Sequence, residues 1–111
     1  MRYILNSAVL TAFGSYSYDA MDREGAQYWL SRGHYQSTIV YLETAEALSA
    51  LLGVPIVADR RTITMAAGDE ALVFRLALPP GSAGINPSDK GQILRHVQRG
   101  HWELGLLRRT D

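Results

Sequence analysis

Three hydroxyl side chains near a predicted helix start could bind a small anion. Ser37, Thr38 and Thr44 lie around the first turn of a helix predicted over residues 42–52. The first backbone N–H groups of a helix have no partner within it, and the positive end of its dipole attracts phosphate. Helix capping alone would also explain these residues. Both interpretations stay open on this pattern.

Arg60 is a second candidate for anion binding, since it comes, with Arg61, where a strand is predicted to begin. A guanidinium pointing along the sheet can pair with phosphate through two hydrogen bonds. An ordinary exposed charge at a sheet edge is the alternative. Four tyrosines could stack on bases or could belong to a core or interface: Tyr16, Tyr18, Tyr35 and Tyr41.

No catalytic pattern emerges from the residue types alone. His34, His96 and His101 lie near predicted helix ends, where partly cationic side chains are favoured. Their spacing predicts no metal site, and we expect no cofactor. The chain has no cysteine, which excludes thiolate zinc sites and cysteine nucleophiles. A Walker-type or dinucleotide-binding glycine loop is also absent from the sequence.

Helical periodicity predicts three helices that would position these residues. The first is expected from about Asp22 to Arg32 with Ala26, Trp29 and Leu30 on its buried face. The second runs from about Leu42 to Leu52, where Gly53 ends it. Ser17-Tyr18-Asp19 are interpreted as capping residues before the first helix. The third helix is expected to begin at Asn86-Pro87 and to continue to about Gln98.

Extended segments predict the strands of one sheet. Short strands are expected at Arg2–Asn6, Ser37–Val40, Val54–Ala58 and Trp102–Leu107. Two alternating runs, Arg61–Met65 and Ala71–Ala77, flank a turn sequence and predict a hairpin. The fold class is therefore α/β (α+β), a single mixed sheet of about five strands with about three helices packed on it, in one domain over residues 1–111.

Composition narrows the functional classes. The 111 residues are 47% hydrophobic, and 11 basic side chains balance 11 acidic ones. This balance provides no overall field to hold a polyanion, which argues against duplex nucleic acid as a partner. No apolar run approaches the roughly 20 residues of a membrane helix, and the N-terminus lacks signal-peptide features. We therefore expect a cytoplasmic protein, in the host cytoplasm if it is viral, with no membrane partner.

Several ordered blocks resemble the viral ring nuclease family, small type III anti-CRISPR proteins first noticed as orphan proteins of crenarchaeal viruses. The resemblance spans nearly the whole chain. The blocks are Asn6-Ser7-Ala8-Val9-Leu10-Thr11, Ser37-Thr38-Ile39, Thr44-Ala45, Leu48-Ser49, Leu51-Leu52-Gly53-Val54, Arg60, the run from Gly68 to Leu76, and Glu103-Leu104-Gly105-Leu106-Leu107.

The resemblance implies a homodimer that binds cyclic tetra-adenylate on its two-fold axis and cuts it into linear products. A symmetric ligand then needs only half a site from each subunit. The family builds this pocket from the loop after the first strand, the start of the second helix and the loop before the third helix. The expected ligand-binding residues are Asn6, Ser7, Ala8, Leu10, Thr11, Ser37, Thr38, Tyr41, Thr44, Arg60, Leu78 and Ser82.

The sequence departs from the family where the family performs its chemistry. The second block of the family typically reads Ser-x-Ile-Gly-His, and its histidine gives a proton to the leaving 5′ oxygen as the ribose 2′ hydroxyl attacks phosphorus. Here Val40 and Tyr41 replace the glycine and the histidine. A phenol, with a reference pKa near 10, is a poorer proton shuttle at neutral pH than an imidazole near 6.5.

The later loop also differs, because the family tends to present an arginine and then a glutamate there. This chain has Ala77-Leu78-Pro79-Pro80-Gly81-Ser82, without either charge. The leading hypothesis is a protein that binds and sequesters a cyclic nucleotide messenger without cleaving it. A smaller or less anionic ring than cyclic tetra-adenylate fits the lost charge. Two alternatives remain: a slow ring nuclease using Tyr41 or His34, and a dimeric accessory protein for nucleic acid or a defence protein.

Overall fold

A five-stranded mixed sheet carries three helices on one face, in the α+β arrangement predicted from the sequence. The computed structural model describes residues 1–6, 12–59, 61, 63–78, 80–81, 84 and 89–111. Its elements, in chain order, are β1 (Arg2–Leu5), β2 (Tyr16–Met21), α1 (Arg23–Ser31), β3 (Gln36–Ser37), α2 (Leu42–Leu52), β4 (Glu70–Leu76), α3 (Lys90–Gln98) and β5 (Trp102–Arg109).

The sheet combines parallel and antiparallel pairs in the order β2-β5-β4-β1-β3. Strand β1 runs parallel to both β4 and β3. Strand β5 pairs antiparallel with β4 on one side and with β2 on the other. The carboxyl ends of β1 and β4 therefore meet at one edge of the sheet.

Local capping explains where the helices begin and end. Asp22 caps α1, and its carboxylate accepts from Gly25 N at 2.6 Å. Gly53 ends α2 with φ 71°, as its place in the sequence predicted. Helix α3 begins at Lys90 because the carboxylate of Asp89 caps it, accepting from Gln92 N at 3.1 Å. The sequence predicted a start at Asn86-Pro87, and those two residues lie outside the described ones.

Two cores cover the two faces of the sheet. The helix-side core includes the predicted buried face of α1. Its buried members are Ile4, Ala26, Trp29, Leu30, Ile39, Ala45, Leu48, Leu52, Ile56, Leu72, Phe74 and Leu104. The core on the other face consists of Tyr3, Leu5, Met65, Ala71, Val73 and Leu107, with Tyr16 and Ile63 packed against it.

The predicted hairpin between Arg61–Met65 and Ala71–Ala77 is wrong. Strand β4 is already paired on both sides, by β1 and β5, and no described residue from 61 to 66 belongs to a strand. The first run alternates because Ile63 and the fully buried Met65 pack onto the face away from the helices. Its apolar pattern therefore reflects packing over the sheet and not pairing within it.

The sequence prediction also missed strand β2. Ser17-Tyr18-Asp19, read as capping residues, lies within β2, an edge strand paired with β5. The predicted strand at Val54–Ala58 reduces to a single bridge between Ala58 and Ile39. Among the described residues, no helix is long and apolar enough to cross a membrane.

Candidate functional site

A pocket of about 280 Å³ opens at the edge where β1 and β4 end. Ligands of open α/β sheets bind outside the carboxyl ends of parallel strands, which is the position of this pocket. Helix α2 begins beside it, and α3 closes one side. Among the described residues, the pocket is lined by Asn6, Tyr41, Thr44, Phe74, Arg75, Leu76, Leu78 and Ile93.

Four of the predicted site residues line this one pocket. Asn6 follows β1, Tyr41 and Thr44 stand at the start of α2, and Leu78 follows β4. They come from separate stretches of the chain, and the fold brings them together. Within the described residues, the side chains of Asn6, Tyr41 and Thr44 make no hydrogen bond, so their polar groups are uncommitted.

Ser37 and Thr38 are not among the residues that line the pocket. Both are buried, with 6% and 5% of their surface exposed. Ser37 Oγ donates to Val57 O at 2.6 Å, and Thr38 Oγ1 donates to Ile4 O at 2.9 Å. These hydroxyls therefore fasten the backbone around β3, and they do not cap α2, whose N-cap residue Tyr41 makes no side-chain cap hydrogen bond.

The remaining predicted site residues lie outside the described ones. They are Ser7, Ala8, Leu10, Thr11, Arg60 and Ser82.

The sequence analysis did not name several lining residues. Phe74, Leu76 and Ile93 have the pattern of ordinary core side chains, so nothing in the sequence separates them from the rest of the core. Arg75 is half-exposed, and its Nε lies 3.2 Å from Glu103 Oε2 on the neighbouring strand. Its pairing with Glu103 depends on the register of β4 and β5, so the sequence carries no local signal that places Arg75 at the pocket.

The three histidines lie away from this pocket. His34 lines a separate pocket of about 230 Å³ with Met1, Arg2, Tyr35 and Gln36, before and at the amino ends of β1 and β3. His96 and His101 face each other at the end of α3, with their Nδ1 atoms 3.0 Å apart. Among the described residues, no imidazole lines the pocket beside Tyr41.

Two carboxyl groups with lowered pKa values, those of Asp69 and Glu70, lie at the opposite end of the strands, where β4 begins. Burial alone would raise the pKa of Glu70, but hydrogen bonds from Trp29 Nε1 at 3.2 Å and Arg108 Nε at 2.9 Å, with the charges of Arg108 and Arg2, hold it below its usual value. The pKa of Asp69 is likewise lowered against the effect of burial, by the Met1 ammonium, by Ala66 N and by the charge of Arg109. These groups stabilise the start of β4 and do not contact the pocket.

Comparisons with known proteins place this fold and sequence among small viral and bacterial proteins. A family model described as STIV B116-like matches residues 2–89. The uncharacterized protein YddF of Bacillus subtilis (strain 168) is 34% identical over 109 residues, which cover 96% of this chain and 95% of YddF. B116 of Sulfolobus turreted icosahedral virus superposes with a TM-score of 0.71 over 97% of this chain and 98% of B116, at 19% identity, and so shares the fold.

Proposed function

Because this chain belongs to the STIV B116-like family and its motifs resemble viral ring nucleases, we propose that it binds and sequesters a cyclic nucleotide messenger of antiviral defence without cleaving it. One observation carries the proposal. Asn6, Tyr41, Thr44 and Leu78, chosen from the sequence, line one pocket at the ligand-binding edge of the sheet. The partner is the messenger itself, and the protein acts by lowering its free concentration.

The side chains around the pocket favour binding over cleavage. Tyr41, at the position of the family's catalytic histidine, is the N-cap residue of α2 and lines the pocket. A phenol is in general a poorer proton shuttle at neutral pH than an imidazole. The described histidines lie elsewhere, since His34 lines a different pocket and His96 contacts His101. A bound ring therefore has no described imidazole beside it to protonate a leaving oxygen.

The start of α2 supports a place for phosphate next to the pocket. The side chain of the N-cap residue Tyr41 makes no cap hydrogen bond, so within the described part of the chain the first N–H groups of α2 have no side-chain acceptor. Glu43 in the first turn adds a negative charge there. A ligand with few phosphates suits this combination better than cyclic tetra-adenylate, so a cyclic dinucleotide or a cyclic ADP-ribose isomer is the preferred messenger class.

The proposal includes a homodimer, with higher assembly left open. A cyclic nucleotide with two-fold symmetry can bind across a two-fold axis, and each chain then supplies half the contacts. Light scattering on the purified protein, with and without messenger, measures the assembly. A dimer that binds one messenger is expected, and a monomer that binds one messenger would remove the shared site.

A ring nuclease is the second candidate, because the family resemblance implies that activity. Tyr41 lines the pocket and could supply a proton slowly, or positioning of the 2′ hydroxyl in line could do most of the work. His34, the other candidate donor, lines a different pocket, which argues against its role.

A dimeric accessory protein for nucleic acid or a defence protein is the third candidate. Its sign would be salt-sensitive association with DNA, and the neutral charge balance argues against it.

One experiment separates sequestration from cleavage. The protein is incubated with labelled cyclic tetra-adenylate, a cyclic dinucleotide or a cyclic ADP-ribose isomer, then denatured by heat, and the released label is resolved by chromatography. Sequestration predicts that one of the rings is retained by the protein and released intact. Multiple turnover to linear products would overturn it in favour of the nuclease. If none of the rings is retained or cleaved, both fail.

A further inference from the structure

We propose that the pocket beside Tyr41 receives an uncharged nucleobase of the messenger and not one of its phosphates. The identity of the ligand as a nucleotide rests on the proposed function. The inference adds which part of the molecule this pocket selects, and three features of the lining support it.

The first feature is a set of three neutral polar side chains with free hydrogen-bonding capacity. Asn6 offers an amide, Tyr41 a phenol and Thr44 a hydroxyl, and none of these groups makes a hydrogen bond within the described residues. The hydroxyls of Ser37 and Thr38, by contrast, donate hydrogen bonds to backbone carbonyls. Donors and acceptors without protein partners are available to a ligand, and an amide can pair with both a donor and an acceptor on one base edge.

The second feature is the apolar remainder of the pocket. Phe74 and Ile93 are each 1% exposed, and Leu76 and Leu78 are half-buried beside them. A flat heterocycle gains from burial against such walls, and the ring of Tyr41 can stack on a base. A volume of about 280 Å³ lies just below the usual range for drug-sized ligands, roughly 300–1,000 Å³, so it suits one base and not a whole ring.

The third feature is the state of the cation at the pocket. Arg75 is the one charged residue among the described lining residues, and its Nε lies 3.2 Å from Glu103 Oε2. Alternation along β4 sends its side chain to the sheet face opposite Phe74 and Leu76. A phosphate inside the pocket would therefore lose water without gaining a free cation from the described lining residues, which is unfavourable. An uncharged base avoids that cost.

Neutral nucleosides test the inference apart from the proposed function. Adenosine, guanosine, cytidine and uridine are titrated by calorimetry, with inorganic phosphate and ribose 5-phosphate as probes that carry the charge but no base. We expect at least one nucleoside to bind, with an affinity that a tenfold change in NaCl leaves unchanged, and neither phosphate probe to displace it. Binding by the phosphate probes alone would overturn the base assignment.

A matched pair of variants locates the binding. Thr44→Val removes one free hydroxyl at constant shape and should weaken both the nucleoside and the messenger about three- to tenfold, the usual cost of one neutral hydrogen bond. Thr64→Val makes the same change at an exposed threonine outside the pocket and should leave both affinities unchanged. Circular dichroism checks that both variants fold.

The outcomes separate the two proposals. If the messenger binds but no nucleoside does, and Thr44→Val binds it as tightly as the unaltered protein, the base pocket is refuted and the proposed function stands. If neither messenger nor nucleoside binds, both fall. If nucleosides bind but no messenger does, the pocket is a base site and the proposed function is refuted.

Discussion

His96 and His101 face each other across the end of α3, with Nδ1 atoms 3.0 Å apart and ring centroids 5.3 Å apart. Those two distances place the nitrogens almost head-on, so one ring donates an N–H and the other accepts it. The backbone brings the rings together, because Gly100 has φ 77° and His101 N donates to His96 O at 2.9 Å. A helix that ends at a glycine with positive φ often has an apolar side-chain contact across its last turn, and here the two imidazoles make that contact.

This pair should stabilise the junction between α3 and β5. We expect His101→Ala to lower the free energy of unfolding by about 0.5–1.5 kcal/mol, the net value of one hydrogen bond. Urea unfolding of His96→Ala, His101→Ala and the double variant measures the coupling between the rings. His34→Ala serves as the control, since His34 is exposed and outside the pair. Strictly additive effects of the two substitutions would contradict the pairing.

Acid should destabilise the start of β4. The pKa values of Asp69 and Glu70 are lowered in the folded protein from ordinary values of 3.8 and 4.5. A lowered folded-state pKa gives stability that is present above the unfolded value and is lost as the pH falls through the folded one. The free energy of unfolding should therefore decrease as the pH is lowered below about 4.5.

The variant Asp69→Asn should show a flatter acid limb than the unaltered protein. At neutral pH it should be less stable by about 1.5–3 kcal/mol, because hydrogen bonds to a charged group are lost. Asp111→Asn is the control, since Asp111 is exposed. Unfolding by urea across this pH range makes the measurement, and an unchanged acid limb in Asp69→Asn would refute the assignment.

Replacing Gly53 should carry a purely conformational cost. Gly53 has φ 71°, and an added Cβ would meet no atom within 4 Å, so no clash contributes. Gly53→Ala should destabilise the protein by about 1–2 kcal/mol through the left-handed backbone alone. Gly84→Ala, at an open position without a positive φ, should change little by comparison. Equal effects of the two substitutions on the thermal midpoint would contradict this explanation.

Tyr41 should contribute to messenger binding through its hydroxyl. Tyr41→Phe keeps the ring and removes the OH, so affinity should fall by about 0.5–1.5 kcal/mol in a calorimetric titration. Tyr28→Phe is the control, because Tyr28 is 68% exposed and does not line the pocket. An affinity unchanged by Tyr41→Phe would leave the ring face as the only contact.

Arg60 remains the predicted phosphate ligand. Arg60→Ala should weaken messenger binding by about 1.5–3 kcal/mol if its guanidinium bonds to phosphate. Arg61→Ala is the matched control, because Arg61 Nε is engaged with Asp59 Oδ2 at 2.9 Å. Titrations at low and high salt make the comparison, and an Arg60→Ala affinity equal to that of Arg61→Ala would remove Arg60 from the site.

The sequence predicted those elements whose local signals agree with their packing. Helix α2 was predicted with its observed limits, since a buried stripe and Gly53 both mark it. Strand β2 was missed because most of its residues are half or fully exposed, so no apolar alternation marks it. For Arg61–Met65 a strand was predicted where the described residues form none, because Ile63 and Met65 alternate as in a strand but pack over the sheet.

The site was predictable only where polar residues drew attention. Asn6, Tyr41 and Thr44 stand out as polar side chains in the family motifs, and they line the pocket. Phe74 and Ile93 form its apolar walls but look like core residues in sequence. Thr38 shows the converse, because its hydroxyl looks available in sequence and is bonded to Ile4 O in the fold. Long-range pairing decides such cases, and periodicity does not report it.

The position of β1 between β4 and β3 determines how this site can change. Because β1 is bonded to β4 on one side and to β3 on the other, the floor beneath Asn6 shifts only if two ladders break. Leu78, beyond the end of β4, and the polar start of α2 have no such double restraint. A relative adapting to a different ligand would therefore be expected to remodel this rim while the floor stays constant, so diversification of ligand choice can proceed without refolding the sheet.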